Sequence, residues 1–303
     1  MSAAWLDVDW ARHTRWVEVA GRPVNVVELG SGRPVVFVHG HSGAWQNWLE
    51  QLPVIAAAGY RAIAFDLPGF GASPLPAEPI TMSGYGRILD ELLGLLDVSA
   101  AAVVGNSMGG FVGAELAIRF PPRVERLVLV SAAGVASKYI GFPLAVMDRY
   151  SERVLRPVGR WLTPVPSRTE RMTRRRRLRR LGFTLLSPHP EQIDPRLFYE
   201  NALASGPKPG APRAAAEIAR YDFRDRLGEI ACPTLIVWGD RDRIVPPESA
   251  MEFGRLIPDS RVVVFEDTGH VPMMERPERF NRLLADFLTE APGEQVDETS
   301  AAA

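Results

Sequence analysis

The stretch Ala101-Ala-Val-Val-Gly-Asn-Ser-Met-Gly-Gly110 leads from an apolar run into a glycine-rich turn and then into a segment of helical periodicity. The apolar run is typical of a strand that is covered on both faces of a parallel sheet. The turn contains Gly105-Asn-Ser-Met-Gly109, a G-x-S-x-G pattern that places a serine on a sharp, strained bend. Glycines two positions away on either side leave room for that bend. We therefore predict that Ser107 is a nucleophile whose hydroxyl projects into a cleft.

Apolar runs of the same kind recur along the chain, and each ends in loop-forming residues. These runs cover residues 34–38, 61–65, 126–130, 234–238 and 261–265. Segments of helical periodicity alternate with them, at 45–58, 83–96, 108–120, 247–256 and 277–288. Before them, residues 17–28 predict a hairpin around a glycine turn. The alternation predicts an α/β fold with a mainly parallel, doubly wound sheet, whose functional residues lie beyond the carboxyl ends of the strands.

One interval breaks the alternation of strands and helices. Residues 135–225 contain helical and proline-punctuated sequence without a clear buried strand. We therefore expect a helical cap inserted into a core domain that is formed by residues 14–134 and 226–290. The tail, residues 291–303, is small and polar without periodicity, and we expect it to be disordered.

Composition and charge limit the classes of function. Hydrophobic residues make up 46% and charged residues 23% of the chain, as in an ordinary soluble globular protein. The formal net charge of -1 provides no field that would recruit nucleic acid, so no nucleic-acid partner is expected. The single cysteine, Cys232, excludes an intrachain disulfide and a metal site built from several thiolates.

The amino-terminal segment does not resemble a secretory signal. Residues 1–15 carry Trp5, Asp7 and Asp9 where a signal would need a basic start and an unbroken apolar run. No stretch of the chain approaches 18 uninterrupted apolar residues, the length that a transmembrane helix requires. We expect a cytoplasmic protein without a transmembrane segment. The sequence does not decide whether the protein contacts a membrane surface peripherally.

A serine hydroxyl is a weak nucleophile at neutral pH and needs a base, for which histidine has a suitable pKa. His270 lies in the loop Asp267-Thr-Gly-His-Val-Pro272, directly after the last predicted strand. His13 and His189 lie outside any strand end, and His39 and His41 follow the first buried strand. We predict that His270 is the general base.

The histidine in turn needs a carboxylate that fixes its tautomer and stabilises the imidazolium. The loop Gly239-Asp-Arg-Asp-Arg-Ile-Val-Pro246 offers Asp240 and Asp242 after the penultimate predicted strand. Asp240 directly follows the glycine that ends the strand, a position better suited to hydrogen bonds within the turn. We therefore predict that Asp242 is the catalytic acid, which gives the order Ser, Asp, His along the chain.

Together with the G-x-S-x-G turn, three further motifs make the sequence resemble the α/β-hydrolase fold superfamily. These are Val38-His-Gly-His41, Asp66-Leu-Pro-Gly-Phe-Gly-Ala-Ser73 and the acid-bearing loop 239–246. The resemblance implies an oxyanion hole formed by the backbone N–H groups of His41 and Met108. We also expect Gly40, Ser42 and Asn106 to contact the substrate, and we expect no metal or cofactor.

The nucleophile narrows the activity within this superfamily. Haloalkane dehalogenases and epoxide hydrolases use aspartate where this chain has Ser107. The stretches 43–48 and 105–110 resemble enzymes that hydrolyse carbon–carbon bonds in ring-cleavage products of aromatic degradation. Those enzymes usually carry tryptophan after the catalytic histidine, whereas this chain has Val271, and their glycine-rich oxyanion loop is longer than residues 39–43.

Three functions follow from these features. The first expectation is a carboxylesterase that cleaves a small or medium hydrophobic ester through an acyl-enzyme. The alternative is a carbon–carbon bond hydrolase of ring-cleavage products. A third hypothesis is a ligand-binding protein that retains the triad, and it is disfavoured because triad and oxyanion loop are both intact.

The segment Arg174-Arg-Arg-Arg-Leu-Arg-Arg180 within the expected cap is strongly basic. Its simplest interpretation is a solvated helix face with some arginines paired to acidic residues. An anion-binding wall for a carboxylate-bearing substrate and a surface that approaches anionic lipid are the functional alternatives. The sequence leaves all three open.

Overall fold

The computed structural model describes residues 3–135, 166–205 and 208–290 of the chain. Within these ranges lies an eight-stranded sheet with the order β1-β2-β4-β3-β5-β6-β7-β8. The strands are β1 (Thr14–Val19), β2 (Arg22–Leu29), β3 (Arg33–Val38), β4 (Tyr60–Phe65), β5 (Ala101–Asn106), β6 (Val124–Val130), β7 (Thr234–Gly239) and β8 (Ser260–Phe265). β1 and β2 form an antiparallel hairpin, β2 pairs antiparallel with β4, and the other neighbours are parallel. The expected α/β sheet with an opening hairpin is confirmed.

Helices cover both faces of this sheet. The α-helices in the same ranges are α1 (Leu52–Ala57), α2 (Met82–Leu95), α3 (Met108–Arg119), α4 (Pro166–Arg174), α5 (Arg176–Phe183), α6 (Pro195–Ala204), α7 (Ala211–Arg220), α8 (Glu248–Leu256), α9 (Pro272–Glu275) and α10 (Pro277–Thr289). Short 3₁₀ helices lie at Ala4–Asp7, Trp10–His13, Trp45–Trp48, Pro121–Arg123 and Arg224–Glu229.

The continuous apolar runs are explained by this double coverage. In β3, Val36 and Val38 belong to the core layer that contains Phe111 of α3. Val35 and Phe37 belong to the opposite layer, which includes residues of α1 and α10. Successive side chains of a strand point to opposite faces, so both sets are buried. Each such side chain contributes about 1.5–3 kcal/mol by leaving water.

Two elements differ from the sequence expectation. The helix expected at 45–58 is divided into the 3₁₀ helix Trp45–Trp48 and α1, because Pro53 has no N–H to continue a helix and lies in the first turn of α1. The run at 261–265 was expected to be covered on both faces, but β8 lies at the edge of the sheet and Val264 is 39% exposed.

The interval expected to form the cap contains α4, α5, α6 and α7, and no strand is assigned within residues 166–205 and 208–225. Its other residues, 136–165 and 206–207, lie outside the described residues, as does the tail 291–303. No helix in the described ranges has the length and apolar character needed to cross a membrane.

The sheet brings the predicted catalytic loops together. β3, β5, β7 and β8 run parallel, so their carboxyl ends lie at one edge of the sheet. The loops that follow these four strands carry His41, Ser107, Asp242 and His270. This edge is where doubly wound α/β proteins place their ligands.

Candidate active site

Ser107 lies on the sharp turn between β5 and α3. Its φ of 53° is in the left-handed region, which residues with side chains rarely adopt. Its N–H donates to the carbonyl of Val130 over 2.9 Å, which fixes the bend against the neighbouring strand. A Cβ on Gly105 would collide with the backbone of Gly109, and a Cβ on Gly109 would collide with the carbonyl of Val38. The two glycines are therefore steric requirements of the turn.

His270 and Asp242 form a buried hydrogen-bonded pair. The Nδ1 of His270 lies 2.8 Å from Oδ2 of Asp242, and the residues are 5% and 6% exposed. The other carboxylate oxygen accepts the backbone N–H groups of Ile244 at 2.8 Å and Val245 at 3.0 Å. Because Asp242 accepts the Nδ1 proton, the neutral imidazole presents Nε2 as a proton acceptor.

The side chain of Asp240 bonds to a neighbouring loop, and not within its own turn as we had predicted. Its Oδ1 accepts the N–H of Thr268 over 3.1 Å, which connects the loop after β7 to the loop that carries His270. The structure therefore brings Asp242, and not Asp240, to the imidazole.

The turn at Ser107 and the His270 loop are joined through Asn106. Its side-chain Nδ2 donates to the carbonyl of Val130 over 3.1 Å and to the carbonyl of His270 over 3.2 Å. We expected Asn106 to contact the substrate, but these bonds direct its amide toward the protein backbone. Among the described contacts, no hydrogen bond joins the Ser107 hydroxyl to Nε2 of His270. Catalytic hydrogen bonds of this kind are often long in free enzymes and shorten when substrate binds.

The two predicted oxyanion donors flank Ser107. The N–H of Met108 is at the first turn of α3, where helix N–H groups have no partner within the helix. His41 follows Gly40, and a Cβ on Gly40 would lie 3.4 Å from the Cβ of Ser107, so this loop passes close to the nucleophile. In the described part of the chain, neither of these N–H groups donates to a protein acceptor. Their assignment to the oxyanion hole stays a prediction.

His39 shapes this loop in a way that the sequence did not reveal. Its Nδ1–H donates to the carbonyl of Gly40 over 2.8 Å, and its Nε2 accepts the N–H of Leu67 over 2.9 Å. This pattern requires a neutral ring, and burial lowers the pKa of His39 below its ordinary value. His39 therefore fixes the backbone beside the predicted oxyanion donor.

The His41 side chain connects the same loop to the cap interval. Its Nε2–H donates to the carbonyl of Ala211 at the start of α7 over 2.8 Å, and Nδ1 accepts the Ser42 hydroxyl over 3.0 Å. Burial lowers the pKa of His41. The contact joins residues 170 positions apart, and the motif around His41 did not predict it. Ser42, which we expected to bind substrate, has a φ of 59° and uses its hydroxyl here.

Glu275 is a further residue that the sequence analysis did not identify. It ends the one-turn helix α9 and accepts hydrogen bonds from the backbone N–H groups of Gly269 and Val271, on either side of His270. Burial raises the pKa of its carboxyl group. In the sequence, the available signal was an acidic residue five positions after the predicted base.

The arginine cluster contains two kinds of side chain. Arg174 pairs with Glu170 at 2.7 Å, and its neighbours Arg175, Arg176, Arg177 and Arg180 are exposed. Arg179 is 4% exposed and donates to the backbone carbonyls of Thr173 and Glu191.

The described residues contain no group of three or more His, Cys, Asp or Glu side chains arranged to hold a metal ion.

Comparison with known proteins agrees with the fold. A family model described as the alpha/beta hydrolase fold matches residues 33–277, which include Ser107, Asp242 and His270. The chain belongs to the α/β-hydrolase fold family. It is a hydrolase of this fold, as the resemblance of its motifs implied.

Proteins named for different hydrolase activities are similar to this chain. A 2-hydroxy-6-oxononadienedioate/2-hydroxy-6-oxononatrienedioate hydrolase from Pseudomonas putida is 32% identical over 271 residues, which cover 86% of this chain and 90% of that protein. A solved meta-cleavage product hydrolase from Pseudomonas fluorescens, a mutant complexed with acetates, is 26% identical with a TM-score of 0.70, covering 90% of this chain and 97% of that one. An esterase from Thermogutta terrifontis is 27% identical with a TM-score of 0.68, covering 91% of this chain and 97% of that one.

Proposed function

We propose that this hydrolase cleaves a carbon–carbon bond in a 2-hydroxy-6-oxo-dienoate, the class of compound that arises when an aromatic ring is opened. The observation that carries the proposal is the 32% identity, over 86% of the chain, to the hydrolase from Pseudomonas putida. The buried pair of His270 and Asp242 beside the Ser107 turn supports it. This proposal reverses the order of the sequence expectations, which ranked ester hydrolysis first.

The first chemical step uses the predicted triad. Nε2 of His270 accepts the proton of the Ser107 hydroxyl while Oγ adds to the C6 ketone of the substrate. The ketone oxygen becomes an oxyanion that the N–H groups of Met108 and His41 stabilise. Removing one such donor typically costs on the order of 3 kcal/mol in the barrier.

The second step breaks the bond between C5 and C6. The electron pair of this bond passes to C5, and it is delocalised to the C2 oxygen when the substrate is in its 2,6-dioxo form. The imidazolium of His270 returns its proton to this dienolate as it departs. Water then hydrolyses the acyl group on Ser107 with His270 as base. One water is consumed, and a carboxylic acid and a 2-hydroxydienoate are released.

Carboxylic ester hydrolysis is the second candidate. It uses the same Ser107, His270 and Asp242, with an alkoxide in place of the dienolate as the leaving group. The specific observation in its favour is Val271, a buried residue at the position where carbon–carbon bond hydrolases usually have tryptophan. Similarity to the esterase from Thermogutta terrifontis also supports it. A cytoplasmic location stays a prediction under either function.

The two candidate functions are distinguished by comparing the rates at which the protein turns over the two kinds of substrate. We would measure kcat/KM of the purified chain for 2-hydroxy-6-oxononadienedioate and for a series of p-nitrophenyl esters of increasing chain length. The proposal predicts that the dienedioate has the higher kcat/KM. Turnover of esters without turnover of any 2-hydroxy-6-oxo-dienoate would favour the carboxylesterase.

A further inference from the structure

The backbone on both sides of the predicted base is held by one carboxylate. Oε1 of Glu275 accepts the N–H of Gly269 over 3.0 Å and the N–H of Val271 over 3.3 Å. Between them, the N–H of His270 donates to the carbonyl of Leu186 in the cap interval over 2.8 Å. Three consecutive N–H groups of this loop are thus bound to acceptors within the protein.

The second oxygen of Glu275 extends this arrangement into the cap interval. Oε2 accepts the hydroxyl of Ser187 over 2.6 Å and lies 3.1 Å from the N–H of Gly269. Ser187 is 1% exposed, and its hydroxyl oxygen accepts the N–H of His189 over 3.1 Å. Hydrogen bonds to a carboxylate are among the stronger ones in proteins, and here they reduce the cost of burying the charge, although burial still raises the pKa of Glu275.

Local geometry explains why this residue reaches the loop. Pro272 begins α9, and the N–H of Glu275 donates back to the carbonyl of Val271 over 3.0 Å. A single helical turn therefore returns the Glu275 side chain toward the residues that precede it. On the other side of the loop, a Cβ on Gly269 would lie 2.6 Å from the carbonyl of Leu186, so the cap backbone packs directly on this glycine.

His270 requires a fixed backbone because its imidazole ring must reach Asp242 and Ser107 at the same time. Nδ1 of His270 bonds to Asp242, and Nε2 has to face the Ser107 hydroxyl. The direction of the ring follows from the backbone of residues 269–271. A displacement of about 1 Å at a catalytic group can cost on the order of 100-fold in rate.

We propose that Glu275 is a positioning residue for His270 and that, through Ser187, it couples the catalytic loop to the cap. The proposal rests on His270 as the base and holds for either chemical activity. Glu275 acts through hydrogen-bond acceptance and takes no part in proton transfer to the substrate.

Two substitutions at Glu275 test whether acceptance by the carboxyl oxygen is the decisive property. Glu275→Ala removes every acceptor, and kcat should fall on the order of 100-fold with KM nearly unchanged. Glu275→Gln keeps one carbonyl oxygen for Gly269 and Val271, and the Ser187 hydroxyl can accept from the new amide. This variant should be roughly tenfold more active than the alanine variant.

Asp267→Asn is the matched control in the same loop. Asp267 bonds to His189 at 2.8 Å and has a φ of 49°, a conformation that asparagine also tolerates. It contacts partly exposed groups outside the triad, so its kcat should stay close to that of the wild type. Ser187→Ala should give an intermediate loss, because the bonds to Gly269 and Val271 remain.

All variants would be assayed well below their melting temperatures, with both the dienedioate and a p-nitrophenyl ester. Equal activity of Glu275→Ala and wild type, or equal losses in the alanine and glutamine variants, would overturn the proposal. A lower melting temperature with unchanged kcat would also overturn it, since that is the result of a purely structural role. Ser107→Ala distinguishes a failure of the triad assignment from a failure of the role proposed for Glu275. If Ser107→Ala retains activity, the triad assignment is wrong. If Ser107→Ala is inactive while Glu275→Ala is as active as the wild type, only the proposal for Glu275 is contradicted.

Discussion

The Nδ1 of His270 lies 2.8 Å from Oδ2 of Asp242, and both residues are almost completely buried. The other oxygen of Asp242 is occupied by two backbone N–H groups, so the carboxylate has a fixed orientation. A buried carboxylate in this position determines which nitrogen of the imidazole carries the proton.

Asp242→Asn should lower kcat by about 10⁴-fold, because the amide favours the wrong tautomer of His270. Asp240→Asn should have a much smaller effect on kcat, since Asp240 binds the N–H of Thr268 and not the imidazole. Steady-state kinetics of the two variants with one substrate would check this. A larger loss in Asp240→Asn would mean that the acid has been assigned to the wrong residue.

Stability should decrease as the pH falls through the range near 6.5, because His39 and His41 are buried. Their pKa values in the folded protein are lowered by burial, so the unfolded chain binds protons first. Their contribution is complete above the ordinary pKa of about 6.5 and is lost as the pH falls from there toward the lowered pKa of the folded protein, with a slope of at most about 1.4 kcal/mol per pH unit for each group.

Urea unfolding of wild type and His39→Gln at pH 5 and pH 7.5 would measure this effect. Glutamine can donate to the Gly40 carbonyl and accept from Leu67 without titrating. The difference in free energy of unfolding between the two pH values should therefore be smaller in the variant. The same difference in both proteins would show that His39 does not cause the pH dependence.

Arg179→Gln should destabilise the protein by about 1–3 kcal/mol, because the carbonyls of Thr173 and Glu191 lose a buried charged donor. Arg175→Gln is the matched control, since Arg175 is exposed and belongs to the same cluster. It should leave stability nearly unchanged. Thermal unfolding of both variants tests the distinction, and equal melting temperatures would contradict it.

The exposed arginines remain candidates for attracting a charged substrate. Arg175→Gln combined with Arg177→Gln should leave kcat/KM for a neutral p-nitrophenyl ester unchanged. If either arginine contacts the dienedioate, kcat/KM for that substrate should fall by roughly 1–3 kcal/mol in free-energy terms. Equal loss on both substrates would instead assign the two arginines to the structure of the cap interval.

The sequence predicted the parts of the site that belong to single strand ends. Ser107, Asp242 and His270 each follow an apolar run, and the glycines around Ser107 reveal the sharp turn locally. The sequence did not predict the His41 bond to Ala211 or the bond between Ser187 and Glu275, because these contacts join segments that only the folded chain brings together. The break of the first long helix was missed because hydrophobic periodicity continues across Pro53.

Turnover of 2-hydroxy-6-oxononadienedioate by the wild type and by Ser107→Ala tests whether this chain is a carbon–carbon bond hydrolase with Ser107 as its nucleophile. Cleavage between C5 and C6 releases the acyl half of this substrate as succinate, which can be quantified. We expect succinate formation by the wild type and a loss of about 10⁴-fold or more in a Ser107→Ala variant with an unchanged melting temperature. Succinate formation at a comparable rate by the variant, or none by a wild type that hydrolyses p-nitrophenyl esters, would contradict it.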